Sequence, residues 1–391
     1  MSRAGAPEPE RETAEPERDW DLSTKDGWLA MVNTAPRARP PVRLVEEMGA
    51  MSALELRRHN HARTVWHANL GPIRTPALDA VFDGLDEIVG SNLQDGDKVK
   101  PAAVLDALPG LGKTTAAVAF ARGFHRDQID LHGARARVTD GSWQRVPVAY
   151  LPLTSNTTMR SLNSMLCRFY GLPSAHRGTA AHLAHRAAEA IAACKTGLIV
   201  VDDVHFLDMN RRDGREVANH FKWLANTFPV TFVFVGVGLR ARGLLEEGLT
   251  GADAAFSQTA RRWTVLDLDT FEISTEQGRR TWRQLLLAIE HNLVLAHAHR
   301  GMLSQDLSDY LFARSSGHFA SLMSLIGRGC YRAIKTGSET LTVDLLDAVR
   351  IDQAAETARK HLAAAIDAGL LTARSSPPQT PTPQPARQPV L

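Results

Sequence analysis

Two short stretches hold the residues best equipped for chemistry. Leu105 to Thr115 reads LDALPGLGKTT, and Gly197 to Asp203 reads GLIVVDD. In the first, Gly110 and Gly112 free the backbone to curl, so that consecutive N–H groups can point at one anion. The helical sequence that continues it, TTAAVAFA, sets the positive end of a helix behind those groups. Lys113 would then reach the β- and γ-phosphates of a nucleotide, and the Thr114 hydroxyl would ligate Mg²⁺. Pro109, Leu111 and Thr115 complete the candidate cofactor-binding set with Gly110, Gly112, Lys113 and Thr114. Ala107 stands where the G-x-x-x-x-G-K-[ST] pattern has its first glycine. A chance Gly-x-Gly-Lys-Thr is roughly a one-per-cent event in a chain of this size, so the expected cofactors are ATP and Mg²⁺.

Asp202 ends an apolar run, and ligands of open α/β sheets bind at the carboxyl ends of the strands. There it is the second candidate metal ligand beside Thr114; the plainer reading is an N-cap or loop carboxylate. Asp203 occupies the place where nucleotide hydrolases usually carry a glutamate that polarises the attacking water. Aspartate is one methylene shorter, and a placement error of about 1 Å can cost ~10²-fold in rate. Slow basal hydrolysis is therefore expected, or hydrolysis that needs a partner to close the site.

These residues need a scaffold, and the apolar runs supply one. Strands are predicted at Ala102–Leu105, Val146–Leu153, Gly197–Val201, Val230–Val235 and Trp263–Leu268, alternating with helices. Purely apolar strands in that alternation specify a parallel sheet covered on both faces, an α/β fold of the P-loop NTPase type. Pro147 puts its strand at or near an edge. Helices are expected at Leu44–Leu70, Thr75–Val89 behind a Thr-Pro cap, Lys113–Phe124 and Thr179–Lys195. From Glu276 only helical patterns remain, at Glu276–Ala298, Ser304–Ser315, Phe319–Thr336 and Val343–Ala368, as in a small all-helical lid domain. The resulting division is a Pro-rich tail over 1–43, a helical segment over 44–100, the nucleotide-binding domain over 101–272, the lid over 273–370 and a Pro-rich tail over 371–391. Residues Met1 to about Asp19 offer almost nothing apolar to bury and the C-terminal stretch is Pro-rich, and disorder is expected in both tails.

With 391 residues, 44% hydrophobic and 23% charged, the composition is that of an ordinary soluble protein, and a net charge of +2 provides no global positive field. Cys167, Cys194 and Cys330 lie far apart, without metal-ligand spacing, and read as core thiols. No apolar stretch approaches the ~20 residues of a membrane span. The acidic, Pro-rich N-terminus is unlike a secretory signal, so a cytoplasmic location is expected. Trp20, Trp28, Leu29 and Met31 interrupt that polar composition, either as a docking segment or as a clasp onto the protein's own core. The run Arg57, Arg58, His59, His61 and Arg63 reads as a solvated helix face or a phosphate-contacting patch. His182 and His185 have metal spacing on a helix but no evident third ligand.

Taken in sequence, the loop, the paired aspartates, the glycines of FVFVGVG, the dibasic SQTARRWTVLDL and the helical end resemble the AAA+ ATPases. Within them the chain looks like the TniB and TnsC transposition ATPases, over about Arg57 to Leu346. HANLGPIRTPALDAVFDGL, VPVAYLPLTSNTT and GLIVVDDVHFLDMNRRDGREVANHFKWLAN carry much of that likeness, with His205, Asn219, Lys222 and Leu224 after the second aspartate.

The resemblance implies an ATP-dependent regulator that assembles as a homo-oligomeric ring or filament on duplex DNA and recruits and activates a DDE-type transposase. It makes Arg261 and Arg262 candidates for the finger that reaches a neighbour's γ-phosphate, though a dibasic pair is also an ordinary surface feature. Arg135, Arg137 and Arg160 become candidate DNA contacts, with solvated charge as the alternative. Ala107, Asp203, Val237 at a sensor position, and an absent lid arginine depart from the pattern. Arg314 or Arg328 would have to substitute for that arginine. The alternative function is a STAND-type nucleotide-dependent signalling switch without DNA binding. Such proteins usually append sensing repeats, and no period of 20–50 residues is visible here. A small-molecule kinase would need a substrate pocket that the sequence does not locate.

Overall fold

The five expected apolar runs become strands, four of them buried. The computed structural model describes residues 18–93, 100–138, 141–155, 157–206, 212–239 and 263–374. Its strands are β1 (Ala102–Asp106), β2 (Arg135–Val138), β3 (Gly141–Gln144), β4 (Val148–Pro152), β5 (Leu198–Asp202), β6 (Thr231–Gly236) and β7 (Trp263–Asp267). Five of them form one parallel sheet in the order β4-β5-β6-β1-β7, and β2 and β3 form a separate antiparallel hairpin. β4 is an edge strand, as Pro147 predicts. The central strands β1, β5 and β6 are buried along their whole length, whereas the edge strand β7 is partly exposed.

Helices α1 (Lys25–Asn33), α2 (Val45–Gly49), α3 (Ala53–Ala68) and α4 (Pro76–Ser91) precede the sheet; α5 (Lys113–His132), α6 (Met159–Phe169), α7 (Ala180–Ala193) and α8 (Arg212–Thr227) connect its strands. Beyond β7, the described regular elements are all helical: α9 (Glu276–Glu290), α10 (Ser308–Ser315), α11 (Phe319–Thr336), α12 (Val343–Asp347) and α13 (Gln353–Asp367). Two apolar cores result, one around the sheet and one within the lid helices. Among the described residues, no helix is long and apolar enough to cross a membrane. The three cysteines are free and buried.

Several boundaries differ from those expected, each for a local reason. The stretch 44–70 is two helices, because Ser52 and Glu55 form a capping box that restarts the chain at α3. The expected helix 343–368 breaks into α12 and α13, where Asp352 caps the second piece by accepting from the Ala355 N–H. α5 runs on past Phe124 to His132, and the polar stretch after it folds as the β2–β3 hairpin. The alternation of Arg135-Ala136-Arg137 with Ser142-Trp143-Gln144 is the signal for that hairpin.

The N-terminal segment is a clasp spanning both cores. Trp28, Met31 and Val32 of α1 are part of the sheet core. Arg126 of α5 donates to the Val32 carbonyl at 2.7 Å and Arg122 to that of Thr34, satisfying the free carbonyls at the α1 terminus. Farther along, Arg39 donates to the Leu293 carbonyl of the lid at 3.1 Å, and α3 packs against α11. Arg63 of α3 is fully buried and forms a bidentate pair with Glu339, at 2.6 and 3.0 Å. His67 accepts from the Val294 N–H at 2.9 Å. Arg63 is thus neither a solvated charge nor a phosphate contact but the ionic bolt between α3 and the lid.

Candidate nucleotide site

In a parallel sheet every strand delivers its carboxyl end to the same edge. That edge gathers Asp106 and the glycine loop after β1, Asp202 after β5, and the turn after β6. Within the loop Gly110 and Gly112 have φ of +76° and +84°, the left-handed region that favours glycine. Ala107 has no positive φ, and its methyl group packs into the sheet core, so the missing first glycine costs the loop nothing. Lys113 begins α5, and its Nζ donates to the carbonyls of Ala107 at 3.0 Å and Leu108 at 2.8 Å. Burial lowers its pKa, while the charges of Asp202, Asp106 and Asp203 oppose that shift. Thr114 and Thr115 are exposed on the first turn of α5.

Asp202 is buried, and both of its oxygens are held. Oδ1 accepts from the Asp203 N–H at 2.8 Å, and Oδ2 accepts from the Tyr150 hydroxyl at 2.7 Å. Asp203 turns the chain with a φ of +57° and leaves its own carboxylate about half exposed. Burial and the neighbouring Asp202 raise its pKa; His205 and Lys113 pull the other way. Asp106 accepts from the Leu239 N–H at 3.0 Å and so ties the loop strand to the turn carrying Val237.

The lid reaches this edge through the start of α11. The Ala320 N–H donates to the Gly110 carbonyl at 3.0 Å, and a Cβ on Gly110 would lie 3.2 Å from the Ala320 methyl. The residue nearest the loop is therefore small and uncharged. Arg314 does not serve in its place: it is buried within the lid, bonded to Glu356 at 2.9 Å and to the carbonyls of Leu346 and Val349. Arg328 donates to the Arg350 carbonyl and lines a cleft of about 670 Å³ shared with Pro109, Gly110, Ser321 and Asp352. An apolar notch lined by Pro72, Ile73, Leu111, Thr115, Leu268 and Phe319 opens on another side of the loop.

Sheet, loop, acidic strand end and helical lid occur together in one known architecture, and residues 97–245 match a family model described as an AAA domain. The fold is the AAA+ fold. An AAA domain is a nucleotide-binding module, which accords with the chemistry of Lys113 and the glycine loop. No curated protein matches the chain in sequence. Among solved structures, the Aeropyrum pernix ORC1 protein in complex with DNA is similar, with a TM-score of 0.53 and 16% identity, over 78% of this chain and 71% of that one. The Aeropyrum pernix ORC2 protein, in ADPNP–ADP complexes, has a TM-score of 0.52 and 14% identity, over 78% of this chain and 72% of that one. At such identities the likeness is one of fold.

Other expected site residues are distributed as follows. Arg261 and Arg262 lie outside the described residues. Arg135 and Arg137 share one face of the AAA+ domain's β2–β3 hairpin, where Arg135 donates to the Ser142 hydroxyl at 2.8 Å. Arg160 is on α6 and donates to the carbonyls of Gly178 and His176, at 3.1 and 3.0 Å. His185 pairs with Glu189, and no group of three or more His, Cys, Asp or Glu residues that could hold a metal occurs among the described residues. Sequence reasoning missed Asp106 and Tyr150. A polar residue inside or ending an otherwise apolar run was the available signal for both.

Proposed function

We propose that this protein is an ATP- and Mg²⁺-binding AAA+ regulator that assembles as a ring or filament on duplex DNA and recruits and activates a DDE-type transposase. One observation carries the reading: the sheet edge is equipped to grip a nucleotide, while the lid packs Ala320 and its backbone N–H against Gly110 and engages Arg328, which lines the shared cleft, with the Arg350 carbonyl. Such a site holds ATP firmly and turns it over slowly, the behaviour of an assembly switch. Thr114 and Asp202 offer the hard oxygen donors that Mg²⁺ takes. When bound, the ion supplies charge neutralisation between the β- and γ-phosphates. Asp203 is the group that polarises water, and Arg261 or Arg262 acts on the neighbouring subunit's γ-phosphate. The apolar notch beside Ile73 and Phe319 suits a nucleobase.

The DNA and transposase parts rest on the resemblance to the TniB and TnsC ATPases. The exposed arginines of the hairpin and the DNA-bound state of the ORC1 relative also support the DNA part. The test is co-sedimentation of the purified chain with duplex DNA, with and without ATP and Mg²⁺, together with imaging of the product. Rings or filaments that need ATP, ignore DNA sequence and dissolve steeply with salt are expected. No ATP-dependent DNA association would overturn this function in favour of a nucleotide-held signalling switch.

A further inference from the structure

Trp28, His125, Tyr150 and Asp202 lie on four different elements and form one continuous chain of contacts. Trp28 of α1 is fully buried, and its indole Nε1 donates to His125 Nδ1 of α5 at 3.0 Å. Burial and the neighbouring Arg126 hold the His125 pKa down to about 4, so the ring is neutral and its Nδ1 lone pair is open to the indole. The Trp28 ring lies nearly parallel to that of Tyr150 of β4, 6.5 Å between centroids and 11° apart. The Tyr150 hydroxyl ends the chain on Asp202 Oδ2 at 2.7 Å.

A buried tyrosine needs some acceptor, and a bond to any carboxylate would satisfy it. Here the acceptor's other oxygen is already held by the Asp203 N–H, so the Tyr150 bond leaves the carboxylate no freedom to rotate. Each oxygen keeps a further lone pair for a metal ion or its water. We propose that Tyr150 is a positioning residue of the nucleotide site, orienting Asp202 toward Mg²⁺, and that Trp28 buttresses it from the N-terminal segment. The inference rests on the reading of Thr114 and Asp202 as the Mg²⁺ ligands. Its consequence is regulatory. Displacement of the clasp would remove the ring stacked on Tyr150 and loosen metal-dependent nucleotide binding through Asp202.

The test is the equilibrium affinity of the full chain for ATP in excess EDTA and in Mg²⁺. Tyr150→Phe keeps the ring and removes one oxygen. It should leave the EDTA affinity unchanged and cut the Mg²⁺-dependent gain about 10-fold, the low end for loss of a partner that orients a metal ligand. Trp28→Phe should lower the gain in the same sense by less. In an Asp202→Asn background, Tyr150→Phe should add nothing, since residues acting through one group are not additive. A Mg²⁺ gain unaltered by Tyr150→Phe, or an equal loss in the Asp202→Asn background, overturns the positioning role. A normal gain in Trp28→Phe overturns the buttress alone. A wild-type protein whose ATP affinity ignores Mg²⁺ would instead sink the reading of the site itself.

Discussion

The α/β domain and the lid both bury charged side chains, and they direct them to opposite ends. Lys113 and Asp202 sit at the carboxyl edge of the sheet, where the chain opens onto the cleft. Arg63 and Arg314 are buried just as deeply but face inward, onto Glu339 and Glu356. In each, the terminal guanidinium nitrogens are bonded to a carboxylate and to backbone carbonyls of the chain itself, which leaves only a buried Nε without a partner. The lid consequently meets the loop through the Ala320 backbone and the cleft lined by Arg328, while its most deeply buried arginines turn away from it. The proposed nucleotide site and the buried ion pairs of the lid are therefore separate sets of residues.

That separation can be broken most forcefully from the lid side. Arg63→Met strands Glu339 in the core and should cost about 3–5 kcal/mol of stability in denaturant unfolding. Nucleotide affinity of the protein that remains folded should change little; a selective loss of affinity at unchanged stability would refute the structural role. Lys113→Ala should do the reverse. We expect about a 100-fold loss of ATP affinity, equivalent to ~2.7 kcal/mol, with a smaller loss of stability in the absence of nucleotide than Arg63→Met causes.

Acid should act on both regions at once. Burial holds the pKa values of His67 and His125 down to about 4 in the fold, helped at His67 by Arg63 and Arg39 against the opposing charge of Glu339, and at His125 by Arg126. Below the ordinary value of 6.5 the unfolded chain binds protons that the folded chain refuses. Stability is therefore complete above about pH 6.5 and falls as the pH drops toward 4. Between pH 7 and 5 the loss should be on the order of 2 kcal/mol for each histidine. His125→Gln retains an acceptor for Trp28 and should remove about half of that slope in thermal melts across this range. The smallest change concerns turnover. Asp203→Glu restores the missing methylene and should raise ATP hydrolysis by about 10-fold, with binding unaffected. An unchanged or lower rate would show that Asp203 is not the limiting group.

The strands and the glycine loop were legible because each depends on neighbours in sequence: a run of apolar residues, or two glycines before a lysine and a threonine. The same holds for the edge position of β4, announced by Pro147, and for α11, whose ends fall at Phe319 and Thr336 as the pattern predicts. The β2–β3 hairpin was overlooked because its strands are short and polar, so its period of two is faint. The break between α12 and α13 depends in part on the Arg314 guanidinium arriving from another helix to take the Leu346 and Val349 carbonyls.

By itself, the sequence determined the α/β architecture, the glycine loop proposed to hold phosphate and the acidic strand end beside it, since local periodicity and motif spacing encode all three. Only the tertiary structure decided what became of the remaining polar groups. It sent Arg63 and Arg314 into the lid, placed Ala320 against Gly110, and made Trp28 a clasp on His125 and Tyr150. The reason is physical: a buried polar side chain must find its partner wherever the fold brings one, and those partners lie 42 to 276 residues away along the chain for Arg314–Glu356 and Arg63–Glu339.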